Sequence, residues 1–145
     1  MRTLICVLGL MASSVAVAEN WVVVSQVTVA SITLTLMVDK DSITIAEKPA
    51  RRTAISKTVS QAPNAATTTL ARTLYFCDVG PNGEHWFIPL ASAFTEVVWA
   101  GVAQTPAELE KTNATNDAQN GGFIGKLQTM KGDPKGSIWA VVCDK

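Results

Sequence analysis

Apolar and polar residues alternate along much of the first half of the chain, which is the period of a β-strand. From Ile32 to Val38 every second residue is aliphatic, and polar side chains at alternate positions would be costly inside a bilayer. The pattern therefore predicts two strands rather than a membrane span, near 21–27 and 30–38. The turn between them contains no Gly, Pro or Asn, so the sequence does not fix its position.

The alternation stops at four polar residues, 39–42, and resumes at Ile43. Asp39 suits the first position of a type I turn, where its carboxylate accepts a bond from the backbone N–H two residues on. We therefore predict a hairpin at 39–42. Calcium is the alternative for an Asp-x-Asp pattern, but Ile43, Thr44 and Ala50 occupy positions where a calcium loop needs a ligand, a glycine and a glutamate.

Further strands are predicted at 51–60, 69–79 and 85–90, with another candidate at 94–102. The sequence GPNGE marks a turn before 85–90. Pro89 cannot donate to a strand ladder, so it places that strand at a sheet edge or ends it.

The strand-like alternation ends before Thr105. Thr105 and Glu108 form a capping-box pattern, which predicts the start of a helix. Asn, Thr and Gly dominate the residues that follow, so the helix should be short and 105–135 should be an irregular loop region. The segment contains the glycosylation pattern Asn-Ala-Thr at Asn113. Near the C-terminus, the segment 137–143 fits either one helical turn or a strand.

Residues 1–18 have the pattern of a signal peptide: a basic start, a short apolar run and small residues at Ala16–Ala18. The run is too short to span about 30 Å of hydrocarbon, and Cys6 is too close to Met1 to be a lipoprotein cysteine. We therefore expect one domain, 19–145, exported to the periplasm or the exterior without a lipid anchor.

The charge is balanced, with twelve basic and twelve acidic residues, which argues against a nucleic-acid partner. No phosphate-binding loop or cofactor fingerprint is present. His85 is the single histidine, so a two-histidine metal site is impossible. We expect no cofactor and no enzyme activity, although sequence alone leaves a Ser-His-Asp triad open.

Of three cysteines, Cys6 belongs to the signal peptide. Cys77 and Cys143 would pair in an oxidising compartment, with a stabilisation on the order of 4 kcal/mol. The alternative is a reactive thiol with His85 as its base.

Two groups are candidates for binding a protein partner. The first is a group of basic residues. The alternative role for them is to lie on a solvated edge strand, where their charges would prevent aggregation. The second comprises Trp86 and Trp99, which could equally be core residues. The basic residues are Lys48, Arg51, Arg52 and Lys57.

Four segments, in order, resemble the surface-adhesin protein E family of Gram-negative bacteria: ENWVVVS, MVDKDSITI, LYFCDV and WAVVCDK. The resemblance covers 19–48, 70–79 and 136–144, and 91–135 has no counterpart. It implies an α+β fold, a mainly antiparallel sheet with a C-terminal helix at SIWAVVC and one disulfide, Cys77–Cys143. It assigns Trp21 to the first strand and the following residues to the hairpin: Val38, Asp39, Ser42 and Ile43.

The family name implies adhesion to host matrix or serum proteins such as vitronectin and laminin. The family's founding member is a lipoprotein, whereas this chain has no lipobox. The alternative function is an accessory subunit or inhibitor of a cell-envelope assembly or enzyme.

Overall fold

One long antiparallel sheet organises the chain. The computed structural model describes residues 19–46, 50–131 and 137–144, so the predicted signal peptide and Lys48 lie outside the described residues. The strands are β1 (Trp21–Val29), β2 (Ile32–Asp39), β3 (Thr44–Ile45), β4 (Arg51–Ala62), β5 (Ala65–Phe76), β6 (Glu84–Trp99), β7 (Val102–Ala103) and β8 (Gln128–Lys131), and the helices are α1 (Pro106–Asn120) and α2 (Ile138–Cys143).

The sheet order is β1-β2-β4-β5-β6-β7, with β3 also beside β4 and β8 beside β6. The prediction of a mainly antiparallel sheet with helices and a disulfide is confirmed. The turns at 30–31, 63–64 and 100–101 lie at one end of the sheet, where the Gly101 N–H donates to the Asn64 carbonyl over 2.9 Å. We name this the turn end, and the opposite end, where α2 packs, the helix end.

The polar interruption at 39–42 is not the predicted hairpin. Both β2 and β3 pair antiparallel with β4. The chain therefore does not reverse at 39–42, and β3 continues beside β4 in the same direction as β2. A 3-10 turn at Lys40–Ser42 holds the extra residues. The prediction was wrong because alternation resumes in the same way after a large bulge as after a reversal.

Hydrogen bonds fix this bulge to both neighbouring strands. The Asp39 carboxylate accepts the Asp41 N–H over 3.0 Å, as predicted, and also the Asn20 N–H over 3.1 Å. The Ser42 hydroxyl donates to the Asp39 carbonyl over 2.6 Å and accepts the Ile55 N–H over 2.8 Å. Asp39 and Ser42 are thus used to shape the backbone.

The two predicted strands at 85–90 and 94–102 are a single sixteen-residue strand, β6. Pro89 lies within it, where the register with β5 shifts. Neither β7 nor β8 extends to Pro89, so its missing N–H costs no ladder bond, and its carbonyl accepts the Gly125 N–H over 2.7 Å. The strand does not end at this proline, which instead occupies a gap in the outer pairing of β6 between β8 and β7.

The structure also differs from the irregular region predicted at 105–135. The capping box at Thr105 and Glu108 is present, but it opens a fifteen-residue helix, α1. The helix persists because Asn113 joins it to the sheet: its side-chain amide donates to the Phe94 carbonyl over 2.9 Å and accepts the Phe94 N–H over 2.7 Å. This tertiary contact overrides weak helix propensity.

The core is small and lies at the helix end. The predicted disulfide is confirmed, with Cys77 just beyond β5 bonded to Cys143 at the end of α2. Tyr75 packs edge-on against Trp139 at 5.3 Å between ring centroids. Half of the buried apolar residues come from α2, and the full set is Val38, Ala54, Tyr75, Ile138, Trp139 and Val142.

Candidate binding surface

The strand register assigns each side chain to one of two sheet faces, because directly paired residues share a face. Val38 contacts α2, which defines the helix face. Leu34, four residues earlier on β2, shares that face. Its row runs across β4 and β5 to Val97 on β6. The helix face therefore continues well beyond the core toward the turn end.

The helices cover only part of the helix face. Helix α2 covers the helix end, and α1 lies against β6 beside a cleft of about 380 Å³ lined by Phe94, Asn116, Phe123 and others. Closer to the turn end the apolar side chains stay in solvent: Trp99 is 76% exposed and Leu34 48%. We name this region the distal apolar surface, composed of Val27, Val29, Ile32, Leu34, Trp99 and Val102.

The distal apolar surface has two ridges. Aliphatic residues of β1 and β2 form one, and Trp99 with its partner Val102 forms the other. Between them lie β4 and β5, where the paired Ala62 and Ala65 present only methyl groups. From β2 to β6 is three strand spacings, about 14 Å. The register thus describes a shallow, uncharged trough with a floor of small residues.

The predicted basic residues are not gathered in one patch. Arg51 and Lys57 alternate onto the face opposite α2, whereas Arg52 pairs with Tyr75 on the helix face. Arg51 and Lys57 are six positions apart along β4, a distance of about 20 Å. Lys48 lies outside the described residues.

Two of these cations already contact aromatic rings. The Arg51 guanidinium lies 4.9 Å from the Phe76 ring centroid, and the Lys57 ammonium lies 4.0 Å from the Trp21 ring centroid. Lys57 is also 3.9 Å from the Glu19 carboxylate. These contacts stabilise β4 against its neighbours as partly buried cation–π pairs.

The remaining residues of the family motif contribute to the sheet and the core. Trp21 begins β1, Val38 is fully buried under α2, and Ile43 packs against the core. Of the two tryptophans proposed for binding, Trp86 is half-buried and packs edge-on against Phe76. Trp99 is exposed, so a core role for it is excluded.

The disulfide excludes the alternative of a reactive Cys77 or Cys143 thiol. His85 is 5% exposed and packs against Trp139 at 5.5 Å between ring centroids. Among residues 19–46, 50–131 and 137–144, no group of three or more His, Cys, Asp or Glu side chains is placed to hold a metal ion. His85 also lines a cavity of about 360 Å³ beside Trp139 and the disulfide, where both cysteines are bonded and neither is a free thiol.

Of the titrating groups within the described residues, Glu84 and Tyr75 have clearly shifted pKa values, and both lie toward the helix end. A hydrogen bond from Asn82 is the largest cause lowering the pKa of Glu84 in the GPNGE turn. Burial raises the pKa of Tyr75 to about 12. The six residues of the distal apolar surface carry no ionisable group, so its chemistry is limited to apolar contact.

Sequence reasoning identified Trp99 but missed the aliphatic ridge. Alternation at Ile32 and Leu34 predicted a strand without stating which face would be covered, and the structure places both residues on the face that carries the core. The sequence had one signal for exposure, which is that the helices supply little apolar surface. Leu109 is the one large apolar residue of α1, and α2 has only six residues.

Comparison with protein-family models, with curated proteins and with solved structures finds no match to this chain. The resemblance to surface-adhesin protein E therefore remains a prediction. Over the part of the chain that the structure describes, neither helix is both long and apolar enough to cross a bilayer.

Proposed function

We propose that this chain is an exported, non-enzymatic binding protein that docks an apolar helix of a protein partner on its distal apolar surface. The observation that carries the proposal is the exposure of six large apolar side chains on one sheet face. Contiguous exposed apolar patches are typical of interaction sites in soluble proteins.

The shape and charge of the trough favour a helix as the occupant. Its width of about 14 Å accommodates a helix about 10 Å across. Its floor of small residues, Ala62 and Ala65 with Ser60 and Thr67, allows close approach. The same sheet face already receives a helix at its other end, where α2 packs over Ala54. Because the surface is uncharged, the partner's contacting face should be apolar as well.

Trp99 should contribute most to the affinity. Exposed tryptophans that become buried are frequent hot spots at interfaces. Its neighbours on the other ridge add aliphatic area, worth about 25 cal/mol per Å² of apolar surface removed from water. The family resemblance directs the first choice of partner to host matrix or serum proteins, vitronectin and laminin in particular.

The test measures binding of residues 19–145 to immobilised vitronectin and laminin. The double variant Leu34→Ser/Trp99→Ser should lose at least about tenfold in affinity, since hot-spot truncations cost 2 kcal/mol or more. Its melting temperature should change little, because both side chains are exposed. Leu127→Ser, which changes another exposed aliphatic residue outside this surface, is the matched control.

Two results would contradict the proposal. Absence of binding to both proteins refutes adhesion to these host proteins, and the same variants are then compared on the partner isolated from the native envelope. Equal affinity of the wild type and the double variant for a stoichiometric partner refutes the docking surface itself.

A further inference from the structure

The two edges of the sheet differ in how far their backbone groups are paired. Along the outer side of β6, β8 pairs with Glu84–Phe87 and β7 pairs with Val98–Trp99. Between them, the Gly125 N–H binds the Pro89 carbonyl, and the Asn113 amide binds both backbone groups of Phe94. Four separate contacts are therefore spaced along this edge, from Glu84 to Trp99.

The other edge, β1, has none of these protections. Within the described residues, β1 pairs with β2 alone, so one side of a nine-residue strand presents unpaired N–H and C=O groups. Exposed edges are normally protected by lysine, proline or inward-pointing charge. The strand WVVVSQVTV contains no charged residue and no proline. Its one irregularity is a register shift between Val23 and Ser25.

We propose that β1 pairs antiparallel with β1 of a second copy of this chain, so that two sheets join into one across a two-fold axis. An edge that meets itself must avoid like charges, and β1 has none. The regular part of the strand lies after the bulge, at Ser25–Val29. This inference rests on the backbone edge of β1 and not on the trough, although Val27 and Val29 also belong to the distal apolar surface.

A two-fold axis near Val27 gives a consistent pairing. It sets Ser25 opposite Val29 and Gln26 opposite Thr28, so that each pair comes from the same sheet face in both copies. Val27, which is 53% exposed, then meets Val27 of the other copy on the helix face, and Val29, which is 65% exposed, lies opposite Ser25 of the other copy. The pairing buries valine against valine and satisfies the backbone groups of the edge.

The test is a charge swap at Gln26, an exposed side chain near the axis. Wild-type 19–145 should show a concentration-dependent monomer–dimer equilibrium in sedimentation velocity. Gln26→Lys and Gln26→Glu should each raise the dimer dissociation constant at least about tenfold, because like charges face each other across the axis. An equimolar mixture of the two variants should restore dimer.

Gln61→Lys is the matched control, because Gln61 is an exposed glutamine on the interior strand β4, on the same face as Gln26. It should dimerise like the wild type. A wild type that stays monomeric at the highest soluble concentration overturns the proposal. Dimers that survive both Gln26 variants but dissociate in Leu34→Ser/Trp99→Ser also overturn it, because they stack through the sheet face.

Discussion

Tyr75 is the only tyrosine of the chain, and it lies in the core at 4% exposure. Its hydroxyl is hydrogen-bonded to Thr73 and Ser56, yet burial outweighs these bonds and raises its pKa to about 12. Ionised phenolate is disfavoured because it would lose its hydration in an apolar environment. The residue therefore links the stability of the core to alkaline pH.

We expect Tyr75 to ionise in the folded protein near pH 12, followed by its near-ultraviolet absorbance. An unfolded tyrosine ionises near pH ~10, so its folded pKa is the higher one. Its contribution to stability is complete below pH ~10 and is lost as pH rises toward the folded pKa, about 2–3 kcal/mol in all. Tyr75→Phe should flatten this part of the stability curve, and ionisation of native protein near pH 10 would contradict the assignment.

At the scale of single residues, the sequence predicts local contacts and misses distant ones. The bond from the Asp41 N–H to Asp39 follows from turn chemistry, because both groups lie within three residues. The bond from the Asn20 N–H to the same carboxylate spans nineteen residues. It depends on β1 lying beside β2, which residue types alone do not specify.

At the scale of elements, helix α1 shows how one side chain can hold a segment of weak propensity. The Asn113 side-chain amide supplies both a donor and an acceptor to the backbone of Phe94, as a neighbouring strand would do, at the edge of β6. Its amide nitrogen is thereby committed to the Phe94 carbonyl. In the folded chain the asparagine of the glycosylation pattern is thus hydrogen-bonded to the sheet through its side chain.

Asn113→Ala should destabilise the protein by about 1–3 kcal/mol, the sum expected for two net hydrogen bonds. Amide hydrogen exchange at Phe94 should accelerate more than exchange at the paired strands β4 and β5. Asn113→Asp is an informative control, since it keeps the acceptor but removes the donor, and its effect should be intermediate. Unchanged exchange at Phe94 in the alanine variant would show that α1 is held by other contacts.

The turns explain why some element boundaries could not be placed. Ala30 and Ser31 both adopt positive φ, 47° and 65°, in a two-residue hairpin turn that usually favours Asn-Gly. With neither residue present, the sequence contained no marker for the turn. The Ala100–Gly101 turn has the same geometry, with φ of 50° and 77°, and there the glycine does mark it.

At the scale of the whole molecule, alternation predicts which side chains share a face but not how much of that face is covered. Coverage depends on the apolar surface that the helices supply. Here α1 contributes mainly polar contacts at the β6 edge, and α2 supplies three buried residues at one end. The trough near Trp99 follows from this shortage, which becomes visible only when strand order and helix positions are known together.

Because the core is small, the disulfide contributes much of the stability of the fold. A six-residue helix has no stability of its own in water, yet α2 supplies the buried residues Ile138, Trp139 and Val142. The Cys77–Cys143 disulfide attaches α2 to the end of β5 across a sequence separation of 66. Closing a loop of that size contributes on the order of 4 kcal/mol in the chain-entropy model.

Reduction should therefore lower the melting temperature by roughly 10 °C or more and should shift Trp139 emission to longer wavelength as α2 leaves the sheet. The double variant Cys77→Ser/Cys143→Ser should behave like the reduced wild type, and adding reductant to it should change nothing further. Trp139→Phe identifies the emission change, because the three other tryptophans lie outside α2. If reduced protein keeps both its melting temperature and its emission, the apolar contacts of α2 alone are sufficient to hold the helix end together.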